Sequence, residues 1–208
     1  MENSFKAPIT VLANGAFPTH HIPLDILKKS GTIICTDGSA NNLLSLDLKP
    51  HVIIGDMDSI NNYEFTGLKV PDLNQDNTDL EKALDWALIN RIQDVTLLGA
   101  TGLREDLTMA NHYILYDYLE KLNIVMITNH FTVTCHRGPR SFDSFPGEIV
   151  SLFPQRFGTV VSTTALKYPL NKFVLDPSAS GVSNQSLGAT FSVDASNPIL
   201  VYRGHRKN

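Results

Sequence analysis

Residues 51–59 read His-Val-Ile-Ile-Gly-Asp-Met-Asp-Ser, so a short apolar run ends in a glycine and two aspartates. Such a run before a turn is typical of a strand buried on both faces of a parallel sheet. Asp56 and Asp58 are two residues apart, and in an extended chain such side chains point the same way. Two adjacent carboxylates repel each other unless a cation lies between them, and Mg²⁺ accepts such ligands. The segment therefore predicts a metal site; the alternative is a solvated aspartate-rich turn.

Other short apolar runs flank this segment, and stretches with helical spacing separate them. The predicted strands are Ile9–Ala13, Thr32–Cys35, His51–Ile54, Val95–Leu98 and Ile124–Thr128. The clearest predicted helix is Asp79–Asn90, in which leucines and alanines form one apolar stripe. A second helix is expected from about Asp106 to Lys121. Its apolar face is expected to contain Met109, Tyr113, Tyr116 and Leu119. This alternation predicts an α/β fold with a parallel sheet.

The character of the chain changes near residue 124, where the helical patterns stop. Residues 1–123 hold 17 of the 21 acidic residues and 9 of the 17 lysines and arginines. The later predicted strands are Ile149–Phe153, Thr159–Thr163, Leu166–Tyr168, Thr190–Val193 and Ile199–Tyr202. Short strands separated by glycine and proline are typical of a small antiparallel sandwich or barrel. We therefore predict an α/β domain over residues 1–128 and an antiparallel β-sandwich over residues 129–208.

The composition excludes several classes of protein. The chain has 208 residues, a formal net charge of −4 and no apolar run long enough to cross a membrane. The negative charge and the absence of an aromatic and basic pattern argue against nucleic-acid binding. The two cysteines form no disulfide or zinc framework, and the first ten residues show no apolar signal segment. We therefore expect a cytoplasmic protein that binds neither membranes nor nucleic acids.

Acidic residues concentrate where the predicted strands end, which is where open α/β sheets bind ligands. Asp37 follows one predicted strand, Asp56 and Asp58 follow the next, and residues 74–79 precede the clearest helix. An asparagine, threonine or aspartate in this last segment is expected to cap the helix whatever the function. A helix N-terminus also attracts anions, so capping and phosphate binding are compatible there.

The segment 99–106 is a glycine-containing turn between a predicted strand and a predicted helix. It lacks the Gly-Lys-Ser/Thr ending of a P-loop and the glycine spacing of a dinucleotide-binding fold. Arg104 offers a planar guanidinium that suits phosphate oxygens. The alternative is that Arg104 pairs with Glu105 or Asp106 in a surface turn.

Six motifs follow one another along nearly the whole chain. Asp37-Gly-Ser-Ala-Asn41 resembles D-G-G-A-N, and Gly55-Asp-Met-Asp-Ser59 resembles G-D-[FM]-D-S. Asp76-Asn-Thr-Asp79 with Lys82-Ala83 resembles D-x-T-D-x-x-K-A, and residues 99–106 resemble G-x-x-G-x-R-x-D. Near the end, residues 164–170 resemble T-x-G-L-K-Y-P-L, and residues 180–184 resemble a G-x-S-N segment. Together, in this order, they resemble the motifs of the thiamin pyrophosphokinase family, which moves pyrophosphate from ATP to thiamin and releases AMP.

The resemblance implies a catalytic, ATP-binding α/β domain, a thiamin-binding β-sandwich, and a homodimer with the thiamin site at its interface. It implies that Mg²⁺ is held by Asp56, Asp58 and Asp79, which would be catalytic together with Arg104 and Asp106. The residues implied for the nucleotide and its pyrophosphate are Gln75, Asp76, Thr78, Lys82, Arg104 and Asp106, supported by Asp37 and Asn41. Ser183 and Asn184 would face thiamin.

The chain departs from the family pattern at a few positions. Leu107 stands where many relatives have histidine, and Ala165 replaces the usual glycine before Leu-Lys. Some relatives stack thiamin on a tryptophan of the second domain, but the only tryptophan of this chain is Trp86, in the first part. Tyr168 and Phe191 are the candidates for that stacking role.

The implied reaction asks the protein mainly for positioning and for neutralisation of phosphate charge. The thiamin hydroxyl would attack the β-phosphorus of ATP, with Asp106 or Asp79 as candidate general bases. Two other functions stay open. The Asp56-Met57-Asp58 string also resembles the motif of haloacid-dehalogenase-type phosphatases, in which Asp56 would be the nucleophile. The chain would otherwise be a non-catalytic module that binds thiamin or a nucleotide.

Overall fold

The computed structural model describes residues 5–60 and 65–206 and shows a mixed α/β fold, as predicted from the sequence. The chain forms two compact units. The first contains the residues up to Ile114 together with Glu120–Asn129, and the second contains Leu115–Leu119 together with the chain from His130 onward. Within the described ranges, no helix is both long enough and apolar enough to cross a membrane.

The first unit is built on a parallel sheet. Its strands are β1 (Ile9–Leu12), β2 (Thr32–Thr36), β3 (Val52–Gly55), β4 (Leu68–Pro71), β5 (Asp94–Leu98) and β6 (Asn123–Ile127). They lie in the order β6-β5-β1-β2-β3-β4, and every neighbouring pair is parallel. Strand β4 was not predicted, because it lies at the edge of this order and its side chains are largely exposed, so it lacks a continuous apolar run.

Within residues 5–60 and 65–206, the α-helices are α1 (His21–Lys29), α2 (Ala40–Leu43), α3 (Asp79–Ile89) and α4 (Glu105–Asp117). The sequence predicted α3 almost to the residue. Helix α1 was not predicted from the sequence; Pro23 lies in its first turn, where proline is tolerated. His20 caps this helix, since its Nδ1 accepts a hydrogen bond from the Ile22 amide at 3.3 Å.

The predicted apolar face of α4 is wrong. Met109 and Tyr113 are 61% and 55% exposed, whereas Ile114 and Leu115 are buried. The buried stripe also contains Asn111, whose Nδ2 donates a hydrogen bond to the Ala100 carbonyl at 2.7 Å. Because Asn111 is polar, the buried face of α4 could not be recognised as an apolar stripe in the sequence.

The second unit consists of antiparallel strands. These are β7 (Phe131–Asp143), β8 (Ile149–Pro154), β9 (Thr159–Thr164), β10 (Phe173–Leu175), β11 (Asn184–Gln185) and β12 (Thr190–Gly204). Strand β12 pairs with β7 along nearly its whole length, with β9 in its first half and with β8 in its second half. These strands enclose their own apolar core, which includes Phe142, Leu152, Phe191 and Val193.

Strands β10 and β11 were not predicted, and three further details of this unit differ from the sequence prediction. A single strand, β12, replaces two predicted strands, with an irregularity between Ala195 and Ile199. Leu166–Tyr168 is not a strand, because only Leu166 forms an isolated bridge, with Ser186. Strand β7 was not predicted at all, since polar side chains interrupt its buried positions.

Candidate active site

Three carboxylates meet at the carboxyl end of the parallel sheet. Asp37 directly follows β2, and Asp56 and Asp58 follow β3. Because β2 and β3 are neighbours and parallel, their carboxyl ends lie side by side. One oxygen of each carboxylate lies within 4.8 Å of the others. Asp37 is thus the third member of this carboxylate cluster. Asp79, which the family resemblance implies as a Mg²⁺ ligand, is not among these three carboxylates, and its role as a ligand stays a prediction.

The local backbone explains how the carboxylates come so close. Gly55 has a φ of +148°, and a Cβ there would lie 3.0 Å from Cγ of Asp37, so only glycine leaves room for that carboxylate. Met57 has a φ of +68°, which turns the chain between Asp56 and Asp58. The Asp58 amide donates a hydrogen bond to Oδ1 of Asp56 at 3.2 Å.

The electrostatics of the carboxylate cluster suit a hard cation. Asp37 is only 3% exposed, and its burial raises the pKa of its carboxyl group. The hydrogen bond from the Asp58 amide is the main cause that lowers the pKa of Asp56. Within the described residues, Oδ2 of Asp37 is buried without a hydrogen-bond partner. Mg²⁺ and Ca²⁺ prefer closely spaced carboxylate oxygens as ligands, and Oδ2 of Asp37 is available for such a contact.

A cavity of about 440 Å³ opens beside Asp56. It is lined by the last residue of β2, by residues that follow β1, β3 and β5, by the loop before α3, and by the N-terminal parts of α3 and α4. The predicted site residues in its lining are Asp56, Gln75, Thr78, Asp79, Lys82 and Arg104. Asp37, Asn41, Asp58, Asp76 and Asp106 lie outside this lining.

The N-terminus of α3 brings Thr78, Asp79 and Lys82 into the cavity. Thr78 and Glu81 form a reciprocal capping box, in which the Glu81 amide donates to Oγ1 of Thr78 at 3.3 Å and the Thr78 amide donates to Oε2 of Glu81 at 2.8 Å. The Lys82 side chain is 4% exposed, and its Nζ donates to Oδ1 of Asp79 at 3.0 Å and to the carbonyl of Asp72 at 3.1 Å. A buried ammonium therefore lies between the helix and the preceding loop.

Two predicted residues support loops around the site. Nδ2 of Asn41 donates to the Ser59 carbonyl at 2.9 Å and so holds the turn that follows Asp58. Asp76 is exposed, and its amide donates to Oδ1 of Asn74 at 3.0 Å. Both contacts order backbone that carries other site residues.

Arg104 and Asp106 pair with each other just before and within the first turn of α4. Nε of Arg104 donates to Oδ1 of Asp106 at 3.1 Å, and Nη2 donates to Oδ2 at 2.6 Å. This pairing lowers the pKa of Asp106 and raises that of Arg104. Both oxygens of Asp106 are engaged, so this carboxylate is a weak proton acceptor in the arrangement observed.

Several residues of the cavity wall were not predicted from the sequence, notably Asn14 and Gly15, which follow β1. A Cβ on Gly15 would lie 2.4 Å from the Gly99 carbonyl oxygen, so the close approach of these two loops requires glycine. The available signal was the Asn-Gly pair directly after the first apolar run. Leu103 and Leu107 add an apolar wall that no motif predicted.

The residues expected to face thiamin lie in the second unit. Ser183 has a φ of +61°, and its amide donates to Oγ of Ser151 at 3.0 Å. The side chain of Asn184 bonds to the backbone of Tyr168. Tyr168 is 61% exposed, whereas Phe191 is 2% exposed and stacks on Phe142 with ring centres 5.1 Å apart. Phe191 is therefore a core residue, and the stacking role suggested for it is wrong.

Comparisons with known proteins agree with one another. The family model of the thiamin pyrophosphokinase catalytic domain matches residues 24–127, which is half of the chain. Thiamin pyrophosphokinase 1 of Caenorhabditis elegans is 29% identical over 169 residues, covering 73% of this chain and 70% of that protein. Thiamine pyrophosphokinase of Bacillus subtilis is 28% identical over 187 residues, covering 82% of this chain and 79% of that protein.

Solved structures show the same fold. The crystal structure of thiamine pyrophosphokinase from Bacillus subtilis superimposes with a TM-score of 0.82 at 22% identity, covering 96% of this chain and 99% of that one. The structure of thiamin pyrophosphokinase from Candida albicans gives a TM-score of 0.84 at 18% identity, covering 95% of this chain and 89% of that one.

Proposed function

Because the chain belongs to the thiamin pyrophosphokinase family, we propose that it transfers pyrophosphate from ATP to the hydroxyl of thiamin and releases AMP. The observation that carries this proposal is the carboxylate cluster of Asp37, Asp56 and Asp58 beside a cavity that also contains Arg104 and Lys82. Carboxylates next to cationic side chains provide both parts of a phosphate site, because the carboxylates hold a metal and the cations contact phosphate oxygens.

We assign the carboxylate cluster to Mg²⁺, with Asp37 as the third carboxylate in place of the expected Asp79. When bound, Mg²⁺ would neutralise phosphate charge that the acidic first unit otherwise repels. Asp79 stays in the proposed site with a different role. Its carboxylate orients the buried ammonium of Lys82, which contributes to the lowered pKa of Asp56.

ATP is proposed to bind in the 440 Å³ cavity, whose volume falls in the range usual for small-molecule sites. The triphosphate would contact Arg104, Gln75 and Thr78, which line the cavity near the N-termini of α3 and α4. Arg104 keeps N–H groups beyond those it gives to Asp106, so it can contact a phosphate while that ion pair persists. Its positive charge would stabilise charge that develops on the transferred group.

In the proposed reaction, the thiamin hydroxyl oxygen bonds to the β-phosphorus while the bond to the bridging oxygen of AMP breaks. The hydroxyl proton would pass to Asp79, which lines the cavity, or to solvent water. Asp106 is disfavoured as its acceptor because both of its carboxylate oxygens accept hydrogen bonds from Arg104. The contribution of this chain is then mainly positioning and charge stabilisation, as in other phosphoryl transfers.

We propose that the second unit binds thiamin as a β-sandwich, with Ser183 and Tyr168 near the ligand, and that two copies of the chain complete the site. In this assignment residues 1–128 are the catalytic domain and residues 129–208 the thiamin-binding domain. Neither Cys35 nor Cys135 forms a disulfide, which supports a reducing, cytoplasmic location. Light scattering tests the homodimer, and a monomer at micromolar concentration would contradict it.

Product analysis tests the proposed activity. Purified protein is incubated with ATP, thiamin and Mg²⁺, with and without EDTA, and the products are separated by chromatography. We expect AMP and thiamin diphosphate in equal amounts, with both lost in EDTA. Inorganic phosphate and a trapped phospho-Asp56 would indicate the phosphatase alternative. Binding of thiamin or ATP without any product would indicate a non-catalytic module.

A further inference from the structure

A second cavity, of about 880 Å³, opens in the first unit at the amino end of the parallel sheet. Its walls are the residues that precede or begin β1, β2, β3 and β4, together with the end of α1. Its described lining shares no residue with that of the 440 Å³ cavity at the carboxyl end of the sheet. The volume falls in the range usual for small-molecule sites, so this cavity is large enough for a ligand of its own.

The charge of this second cavity is positive, although the surrounding stretch of chain is acidic. Its described lining contains three lysines and one acidic residue, which are Lys6, Lys28, Lys49 and Asp47. The net charge of this lining is +2 with His51 neutral, whereas residues 1–123 as a whole hold 17 acidic residues and only nine lysines and arginines. The three lysines are exposed, and none forms an ion pair within the described part of the chain. Cations gathered in a concave surface attract anions, and we call this cavity the basic groove.

The helix dipole gives one of these lysines a role that needs no ligand. Lys28 lies with Lys29 in the last turn of α1, where positive charge is favourable. Lys6 precedes β1 and Lys49 precedes β3, so neither lies at a helix end. The dipole therefore accounts for Lys28 alone, and an anionic ligand would account for all three lysines.

His51 adds a hydrogen-bond donor whose ring is fixed by β2. Its Nδ1 accepts a hydrogen bond from the Ile33 amide at 3.0 Å, and its own amide donates to the Ile33 carbonyl at 2.9 Å. Because Nδ1 is an acceptor here, the neutral ring carries its proton on Nε2. No described residue bonds to Nε2, and the exposed ring lines the basic groove. The Nε2–H group is therefore available to an oxygen atom of a ligand.

The basic groove also offers apolar surface beside its cations. Phe5 and Leu48 are partly exposed, Leu68 is 45% exposed, and all three line the groove. The ring of Phe5 is held edge-on against Trp86, with ring centres 5.0 Å apart. Apolar walls favour a ligand with an organic body over a free inorganic anion. A positively charged body would be repelled by the same lysines, so the walls suit an uncharged one.

We propose that the basic groove binds an organic phosphate with an uncharged body, whose phosphate contacts Lys28, Lys49 and Nε2 of His51. Hydrogen bonds from ammonium groups to phosphate are charge-assisted, and the fixed histidine N–H adds a directional contact. The apolar walls then cover the body of the ligand. This site is separate from the transfer reaction proposed above and does not rest on it.

Titration of the full-length protein with phenyl phosphate, followed by ¹⁵N–¹H NMR, tests the site directly. This probe joins a phosphate to an uncharged ring. We expect the amide signals of Ile33, Lys49 and His51 to shift together and to saturate. The Kd should be at least about threefold below that of inorganic phosphate, because the ring contacts the apolar walls. Equal Kd values, absence of a saturable shift, or shifts confined to the 440 Å³ cavity would overturn the proposal.

Substitution of the lysines separates a built site from general attraction of anions. Lys28→Gln and Lys49→Gln should each raise the Kd for phenyl phosphate about threefold to fivefold, and together about tenfold or more. Lys29→Gln is the matched control, because Lys29 is exposed in the same turn of α1 but does not line the basic groove. It should change the Kd less than about 1.5-fold, since salt screens distant charges. An equal effect of all three single substitutions would overturn the site.

Two further probes distinguish the classes of organic phosphate that share this chemistry. AMP carries an uncharged base, whereas thiamin monophosphate carries a cationic ring. We expect AMP to bind the basic groove at least about threefold more tightly, because the lysines repel the cationic ring. The reverse order would contradict an uncharged body. The amide shifts of Lys49 and His51 report this binding even if the protein forms no thiamin diphosphate, so the two proposals fail independently.

Discussion

Nζ of Lys82 lies 3.0 Å from Oδ1 of Asp79, in an ion pair whose two members differ sharply in exposure. The Lys82 side chain is 4% exposed and that of Asp79 is 38% exposed. A charge buried without a partner is costly, whereas a partly exposed charge can be solvated by water. Removing Asp79 is therefore expected to lower the free energy of unfolding more than removing Lys82 does.

The first prediction follows from this asymmetry. Asp79→Ala leaves the Lys82 ammonium buried with only the Asp72 carbonyl, so it should lower the free energy of unfolding by about 2 kcal/mol. Lys82→Met leaves Asp79 in contact with water and should cost less than about 1 kcal/mol. Urea denaturation of both variants measures the difference. The opposite order would show that Lys82 is not held mainly by Asp79.

Asp56→Asn should abolish the effect of Mg²⁺ on the protein. Wild-type protein should melt at a higher temperature with Mg²⁺ than without it, because the ion binds only the folded state. The variant should lose that shift and about 10²-fold or more of its turnover. Asp25→Asn, at an exposed position on α1, is the matched control. A normal Mg²⁺ shift in Asp56→Asn would contradict the metal assignment.

Arg104→Lys tests whether activity requires the paired N–H donors of the guanidinium group. A lysine cannot make the two parallel bonds that Arg104 makes to Asp106, nor bind a phosphate in the same way. We expect kcat/KM for ATP to fall about 100-fold at an unchanged melting temperature, since the ion pair is exposed. Arg156→Lys, in the second unit, should have no effect. Full activity of Arg104→Lys would mean that only positive charge is needed.

Thr78→Ala removes one half of the capping box of α3. The Glu81 amide loses its acceptor, which should cost about 1–2 kcal/mol of stability. Thr78→Ser keeps the hydroxyl and should restore most of the loss. Chemical denaturation of the three proteins measures this. If serine were no better than alanine, the methyl group of Thr78 rather than its hydroxyl would account for the effect.

His136 should make the second unit sensitive to acid. It is 5% exposed, and burial, with a further contribution from Arg140, lowers its pKa from 6.5 to about 4. Since the folded pKa lies below the unfolded one, the unfolded state binds the proton first as the pH falls. Stability should therefore drop between about pH 6.5 and 4, by about 3 kcal/mol at most.

His136→Leu removes the group whose protonation favours the unfolded state. The free energy of unfolding of the variant should therefore fall less over the same pH range. Unfolding free energies measured at pH 7 and pH 4.5 provide the comparison. Equal pH dependence of the variant and the wild type would mean that other groups cause the acid sensitivity.

Strands that are buried on both faces were predictable, and strands with mixed patterns were not. Each strand β1, β2, β3 and β5 is a short apolar run, which the sequence displays directly. Strand β7 was missed because Thr134 and His136 occupy buried positions in it. That Leu166–Tyr168 is not a strand could not be predicted from these residues alone, because Tyr168 is held by the side chain of Asn184, sixteen residues away.

Part of the candidate site was predictable, since six predicted residues line one cavity, but the individual partners of these residues were not. The spacing of Asp56 and Asp58 directly after β3 made their proximity predictable, but the extended chain assumed for it is wrong, because Met57 has a φ of +68° and turns the chain between them. Asp37 joins them only because β2 and β3 are neighbours in the sheet, and Asp79 instead pairs with Lys82 one helical turn later. Pairing of strands and burial of charges decide such details, and neither is visible in the spacing of residues.

The most direct test of the proposed function follows the β-phosphorus. Wild-type protein is incubated with Mg²⁺, thiamin and ATP labelled with ³²P at the β-phosphate, and the labelled products are separated. Transfer of pyrophosphate predicts that the label appears in thiamin diphosphate while the AMP formed carries none. Label retained in ADP, or released as inorganic phosphate, would contradict pyrophosphate transfer by this chain.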